Sequence, residues 1–313
     1  MPDEQVPENE RASMKFRGHE TFFIRKGWLS KGMKAVKADP YVFMGVDGRN
    51  PIDELGLGSN MVKSLRYWLQ ATGLTEEPAS GKRYQTLTPF GALVSENDPY
   101  FEEMGTLWAI HCNLARNKNM ATSWYFFFNE FSMRSFTKDD FVNALSKYAK
   151  MNAKPGKEPS KRSLEDDFSC ILGTYISRDK IQLSRVSPEN NIDCPLGELE
   201  VVSIDCRASK TYRKRQASPS TLHPMIVLSA VVAFAEDGGI AAGGEVSLDR
   251  MLTAPLSPGR LFNLDSVCLL NALYALSNSG YLKVVRTAGL DVVRIQTEMA
   301  PLDCLEEYYR QIG

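Results

Sequence analysis

Between residues 60 and 72 the side chains separate into two faces at about 100° per residue, the signature of an amphipathic helix. Met61, Val62, Leu65, Trp68 and Leu69 form an apolar stripe; Asn60, Lys63, Ser64, Arg66, Tyr67 and Gln70 lie opposite. Upstream, Trp28, Leu29, Met33 and Val36 repeat at helical spacing, which predicts a helix over 28–37 with these four packed inward. A short helix over 51–56 lies between, with Pro51 at its favoured first position and Asp53 and Glu54 in its first turn. Leu57 and Gly58 make the turn, Ser59 or Asn60 offers an N-cap, and Gly73 ends the long helix. Residues 74–76 and 84–88 then predict two short strands joined by a turn over 78–83. Three helices followed by a hairpin outline a winged helix-turn-helix.

Downstream the pattern is helical. Residues 99–117 and 123–131 carry Trp108, Trp124, Tyr125 and the run Phe126, Phe127 and Phe128, which suits only a core or a protein interface. Thr137 caps a helix over 141–150, and a capping pattern from Ser163 precedes another over 168–175. Short strands broken by Pro188 and Pro195 occupy 181–206. Helices over 225–236, 247–252 and 264–279 and a hairpin over 281–296 then repeat the opening order, so a second winged helix is expected. Its third helix has no Lys or Arg, which assigns this copy to protein contacts, with Tyr308 and Tyr309 expected at the surface.

The expected fold is therefore mainly α with small β hairpins. Its divisions are a flexible leader over 1–15, a winged helix over 16–95, a helical extension over 96–150 and a basic Pro/Gly linker over 151–162. A mixed connecting region over 163–220 and a C-terminal winged-helix-like domain over 221–313 complete it.

Length and composition alter this picture little. The 313 residues exceed one ordinary core; 43% hydrophobic and 24% charged residues are values of a soluble globular protein. A net charge of −1 announces no polyanion partner, so any nucleic-acid surface must come from local clustering of cations. The longest apolar run, 225–235, is far too short for a bilayer span, and the N-terminus has no signal pattern, so a cytoplasmic location without membrane contact is expected. Six scattered cysteines with no Cys-x-x-Cys pair read as buried reduced thiols rather than a zinc site.

Local clusters do exist. Lys, Arg and Tyr reach phosphates and Asn, Gln and Arg read base edges, so Ser59, Asn60, Lys63, Arg66, Tyr67 and Gln70 are candidate contacts to double-stranded DNA. Lys82 and Arg83 at the wing tip join them, as do Arg213, Lys214 and Arg215 in a second basic stretch. The competing reading is a solvated helix face. For chemistry, His19 beside Glu20, between Arg17 and Arg25, combines a general base with cations for a phosphorane-like transition state. The alternative for this segment is a buried polar network tying the N-terminus to the first winged helix. A metal-dependent nuclease would instead recruit Asp166 and Asp167, with Glu165, around a divalent ion such as Mg or Mn. No phosphate-binding loop of the Gly-x-x-x-x-Gly-Lys-Ser/Thr kind occurs, so no nucleotide cofactor is expected.

The run from Arg17 to Leu29, Arg-Gly-His-Glu-Thr-Phe-Phe-Ile-Arg-Lys-Gly-Trp-Leu, is followed by Leu-Gly-Leu-Gly-Ser-Asn-Met-Val-Lys-Ser-Leu-Arg-Tyr-Trp-Leu over 55–69. Together these motifs resemble the SspB family of bacterial single-strand DNA phosphorothioation and anti-phage defence systems. The resemblance implies a DNA-nicking component acting beside a cysteine desulfurase, an ATPase and a sulfur-transferring enzyme. Two functions are thus expected to compete: a strand-nicking endonuclease, and a non-catalytic winged-helix adaptor or transcription-type regulator that recruits partner enzymes. A homodimer is left open.

Overall fold

The computed structural model describes residues 13–45, 48–78, 84–153, 158–176, 194–287 and 290–313. Trp28, Leu29, Met33 and Val36 are buried on one side of α1 (Trp28–Ala38), as their spacing requires. After α2 (Pro51–Leu55), Gly56 takes the left-handed conformation at φ 57° that ends the helix and turns the chain. The long helix α3 (Ser59–Ala71) follows, preceded by Gly58 at its N-cap with no side-chain cap, so neither Ser59 nor Asn60 caps it. Strands β1 (Thr75–Glu76) and β2 (Thr86–Leu87) pair antiparallel with Thr75 opposite Leu87. Residues 79–83, most of the turn expected as a wing tip, lie outside the described residues. The element order is thus three helices and a hairpin, closed by α4 (Pro89–Asn97).

The middle is built on α5 (Met104–Arg116), α6 (Thr122–Tyr125) and a π-helical turn over Phe126–Glu130. Phe126, Phe127 and Phe128 are all buried, so this apolar run is core. Strand β3 (Ser135–Phe136) leads to α7 (Lys138–Asn152), which opens with a reciprocal Thr137–Asp140 capping box. Helix α8 (Lys161–Tyr175) begins earlier than its apolar pattern suggested, because Ser160 caps it. Glu165, Asp166 and Asp167 therefore lie inside the helix, and an acidic first turn does not explain them. After a 3-10 turn over Pro195–Leu199, β4 (Val202–Cys206) and β5 (Thr211–Lys214) join β3 in a sheet ordered β3-β5-β4.

The C-terminal part comprises α9 (Pro224–Asp237), β6 (Glu245–Ser247), α10 (Leu248–Thr253), α11 (Pro258–Leu261), α12 (Ser266–Asn278), β7 (Leu282–Thr287), β8 (Leu290–Ile295) and α13 (Pro301–Ile312). Strands order as β6-β8-β7, and α13 packs along α9. Tyr308 and Tyr309 are buried, contrary to the surface expectation. The Tyr308 hydroxyl accepts from the Gly105 N–H at 3.0 Å, and that of Tyr309 meets Thr106 at 2.7 Å, which locks the last helix onto α5. The cysteines are all free, but Cys206 is exposed rather than buried. Among the described residues, no helix is long and apolar enough to cross a membrane. Mixed α/β structure with small antiparallel sheets is the architecture.

Candidate functional site

The Arg17–Arg25 segment folds as a tight turn rather than a helix. Arg17, Glu20 and Thr21 all have left-handed backbones, at φ 56°, 49° and 70°. Each such non-glycine residue costs about 1 kcal/mol or more, so surrounding contacts must hold the turn. They are visible: the Phe22 N–H donates to the His19 carbonyl at 2.8 Å and the Glu20 N–H to that of Arg17 at 3.3 Å. Gly18 lies against the Tyr67 ring so closely that a Cβ would sit 2.5 Å from a ring carbon. A larger residue here would lift the segment off α3. From α3, Ser64 and the Trp68 indole donate to the Phe22 carbonyl at 3.3 and 2.9 Å.

His19 is fully buried beneath this turn, stacked on Trp68 and edge-on to Tyr67 and Trp124. Its Nδ1 accepts from the Thr21 N–H at 3.1 Å, which leaves the proton on Nε2 to donate to Asp167 Oδ1 at 2.8 Å. Asp167, itself buried in α8, also accepts from the Arg17 N–H at 2.8 Å and from the Ser123 hydroxyl at 2.5 Å. One residue earlier, Asp166 pairs with the Arg17 guanidinium at 2.9 Å nearer the surface. The two acid–base candidates, read from the sequence as alternative sites, therefore form one cluster. Its inner layer is His19, Asp167 and Ser123, and its outer layer is Arg17 and Asp166; the half-buried Glu20 lies in the same turn. Arg25 stands apart, its guanidinium over the Phe22 and Trp28 rings at 5.5 and 5.3 Å.

The polar face of α3 is narrower than its sequence implies. Ser59, Asn60 and Lys63 are exposed, whereas Tyr67 is buried under the 15–18 segment and donates to the Met120 carbonyl at 2.9 Å. Arg66 is half-buried and forked onto Glu77, Nε to Oε1 at 2.6 Å and a terminal nitrogen to Oε2 at 2.7 Å. Gln70 and Gln85 donate to the same carboxylate at 3.1 and 3.2 Å. Partial burial acts to raise the Glu77 pKa, but the hydrogen bonds and charge of Arg66 outweigh it and hold the carboxyl below its ordinary range. Lys15, whose ammonium lies 5.3 Å from the Tyr67 ring centre, is lowered by burial and by Arg66.

Lys82 and Arg83 lie outside the described residues. In the second basic stretch Arg213 pairs with Asp205 at 3.1 Å and Arg215 is exposed, but Lys214 turns inward. Its ammonium donates to the carbonyls of Phe127 and, at 2.6 Å, Phe131, capping the π-helical turn. Lys15, Glu77 and Ser123 escaped the sequence reading: each is unremarkable locally and gains its role from a partner elsewhere in the chain.

The carboxylates do not assemble a multi-ligand metal site. Among the described residues no three His, Cys, Asp or Glu side chains converge in a way that could hold an ion. Asp167 has both oxygens engaged by protein donors and Asp166 is paired with Arg17, so the expected Asp166/Asp167 ion site does not fit this arrangement.

No curated protein matches this chain. Solved structures do, among them one titled a magnesium ion-bound SspB crystal structure and one titled an SspB crystal structure. The first is 28% identical over 98% of this chain and 91% of the other, with a TM-score of 0.81; the second is 27% identical over 97% and 91%, with a TM-score of 0.80. A family model described as "Protein of unknown function (DUF4007)" matches residues 16–309. This match spans nearly the whole chain and includes every described cluster above, so the chain belongs to the DUF4007 family, with SspB structures as its solved neighbours.

Proposed function

We propose that this protein is a DNA-binding component of a bacterial DNA phosphorothioation system and that it nicks one strand of duplex DNA. The observation carrying the reading is the likeness to SspB along 98% of the chain. Cysteine desulfurase, ATPase and sulfur-transferring enzyme are then the expected partners. The first three helices and their hairpin act as a winged helix, with Ser59, Asn60 and Lys63 at the open end of α3 meeting the duplex. The C-terminal helices and hairpin form a second winged helix serving assembly.

Within this reading the cluster divides its labour. Buried His19 and Asp167 are positioning residues, since neither is open to a phosphodiester. Arg17, Glu20 and Asp166 form the reactive face. A water attacks phosphorus and its proton passes to a carboxylate, Glu20 or Asp166, as the bond to the leaving oxygen breaks; Arg17 offsets the charge developing on the phosphoryl oxygens. Three left-handed residues in this turn support the assignment, because stored backbone strain concentrates at functional sites.

The adaptor reading is favoured by one observation: the polar atoms of His19 and Asp167 are satisfied within the protein, as in a purely structural network. Incubating purified protein with supercoiled plasmid and magnesium separates the two. Open circles support a nickase; a gel shift with intact supercoils supports the adaptor.

A further inference from the structure

A cleft of about 300 Å³ opens between the β3–β5 edge and the α10–α12 segment, apart from the Arg17–Asp166 cluster. Arg134, Lys214 and Arg260 line it, and among the described lining residues Asp265 is the one carboxylate. Asp265 is already occupied: its Oδ1 accepts from the Cys268 N–H at 2.8 Å and its Oδ2 from Gln216 at 2.7 Å, capping α12. Three basic side chains therefore share the cleft with one carboxylate, both of whose oxygens already accept hydrogen bonds, from Cys268 and Gln216.

The cations keep unused donors. Lys214 spends two of its three N–H groups on the Phe127 and Phe131 carbonyls. Arg260 gives its Nε–H to the Thr253 carbonyl at 2.9 Å, which leaves its two terminal nitrogens. The exposed Arg134 side chain makes no hydrogen bond or ion pair among the described residues. Capping the π-helical turn accounts for Lys214, but it does not account for the two arginines that line the same cleft. Burial, with the charge of Arg260 added, brings the Lys214 pKa down to about 7, so this ammonium lacks a compensating anion.

We propose that this cleft is a phosphate-binding site that takes a phosphate monoester, either the terminal phosphate of a nucleic-acid strand or a free phosphate. A monoester carries about −2 at neutral pH and presents acceptor oxygens on every side, which matches the surplus of cations and their spare donors. The volume lies at the small end of ligand pockets and suits one phosphate with little beyond it.

The test is calorimetric titration of the full chain with inorganic phosphate and with sulfate, a dianion whose own charge stays fixed across the range. Saturable binding is expected, weakened at least tenfold in Arg134→Gln and in Arg260→Gln, whose folding is checked by thermal melts. For sulfate, affinity should fall about tenfold per unit above pH 7 as Lys214 loses its proton. The charged groups facing Lys214, namely Arg134, Arg260 and the capping Asp265, do not titrate there. A 5′-phosphorylated oligonucleotide that binds tenfold more tightly than phosphate identifies a strand end; equal affinity identifies a free phosphate. The proposal is overturned by no saturable binding, by unchanged affinity in both arginine variants, or by an unphosphorylated oligonucleotide that displaces sulfate equally well.

Discussion

His19 and Asp167, separated by 148 positions, share a 2.8 Å hydrogen bond in the fully buried interior, with Ser123 and the Arg17 N–H on the same carboxylate. That contact fastens the N-terminal turn to α8 and sets Arg17 beside Asp166 at the surface.

Removing one partner should be costly. His19→Ala leaves the buried Asp167 carboxylate with one donor fewer, and losing a hydrogen bond to a charged group costs about 1.5–3 kcal/mol. Urea unfolding should register it, and His19→Ala should lose more stability than Asp167→Asn, whose amide oxygen at the Oδ1 position still accepts from His19 and the Arg17 N–H while its NH2 donates to the Ser123 hydroxyl. Equal stability of His19→Ala and wild type contradicts the positioning role.

Glu77 restrains Arg66. Glu77→Gln removes the carboxylate that holds the fork, so duplex affinity in gel shifts should rise severalfold, with a salt slope steeper by about one phosphate contact. The carboxyl is lowered in the folded state, so its stabilisation is present above the unfolded pKa of about 4.3 and fades as pH falls through the folded value. Glu77→Gln should therefore lack that part of the acid sensitivity below about pH 4.

Lys63 is the exposed cation of α3. Lys63→Ala should weaken duplex binding about uniformly across sequences and reduce the salt slope by about one, without altering the melting temperature. An unchanged titration curve removes α3 from the interface.

His111 offers a check on the core. Its Nδ1 meets the Tyr175 hydroxyl and its Nε2 the Leu261 carbonyl, both at 2.8 Å, and burial lowers its pKa to about 4. Between about pH 6.5 and 4 the unfolded chain takes up a proton that the folded chain refuses. Stability should fall by at most about 1.4 kcal/mol per unit there, and His111→Gln should flatten that slope.

What was legible in the sequence was periodic and local. The inward residues of α1, the apolar stripe of α3 and the Thr137 cap of α7 each follow from spacing within one element. What failed depended on distant partners. Tyr67 sits on the polar face of its own helix, but Gly18 brings the N-terminal turn across it. Tyr308 and Tyr309 are covered by residues some 200 positions away, and Lys214 is drawn inward by carbonyls of the π-helical turn. The Arg17–Arg25 motif and Asp166 and Asp167 each stood out as candidates by residue type; that they lie together was not legible, because no local pattern records a contact spanning 150 residues.

The most direct measurement is conversion of supercoiled plasmid to open circles, timed side by side for wild type, Glu20→Gln, Asp166→Asn and Arg17→Ala, with thermal melts of each. The expected result is nicking by wild type and a loss of about two orders of magnitude in Arg17→Ala and in at least one carboxylate variant, at near-native stability. Wild-type protein that shifts DNA but leaves the plasmid supercoiled, or variants that all nick at the wild-type rate, would contradict the reactive face formed by Arg17, Glu20 and Asp166.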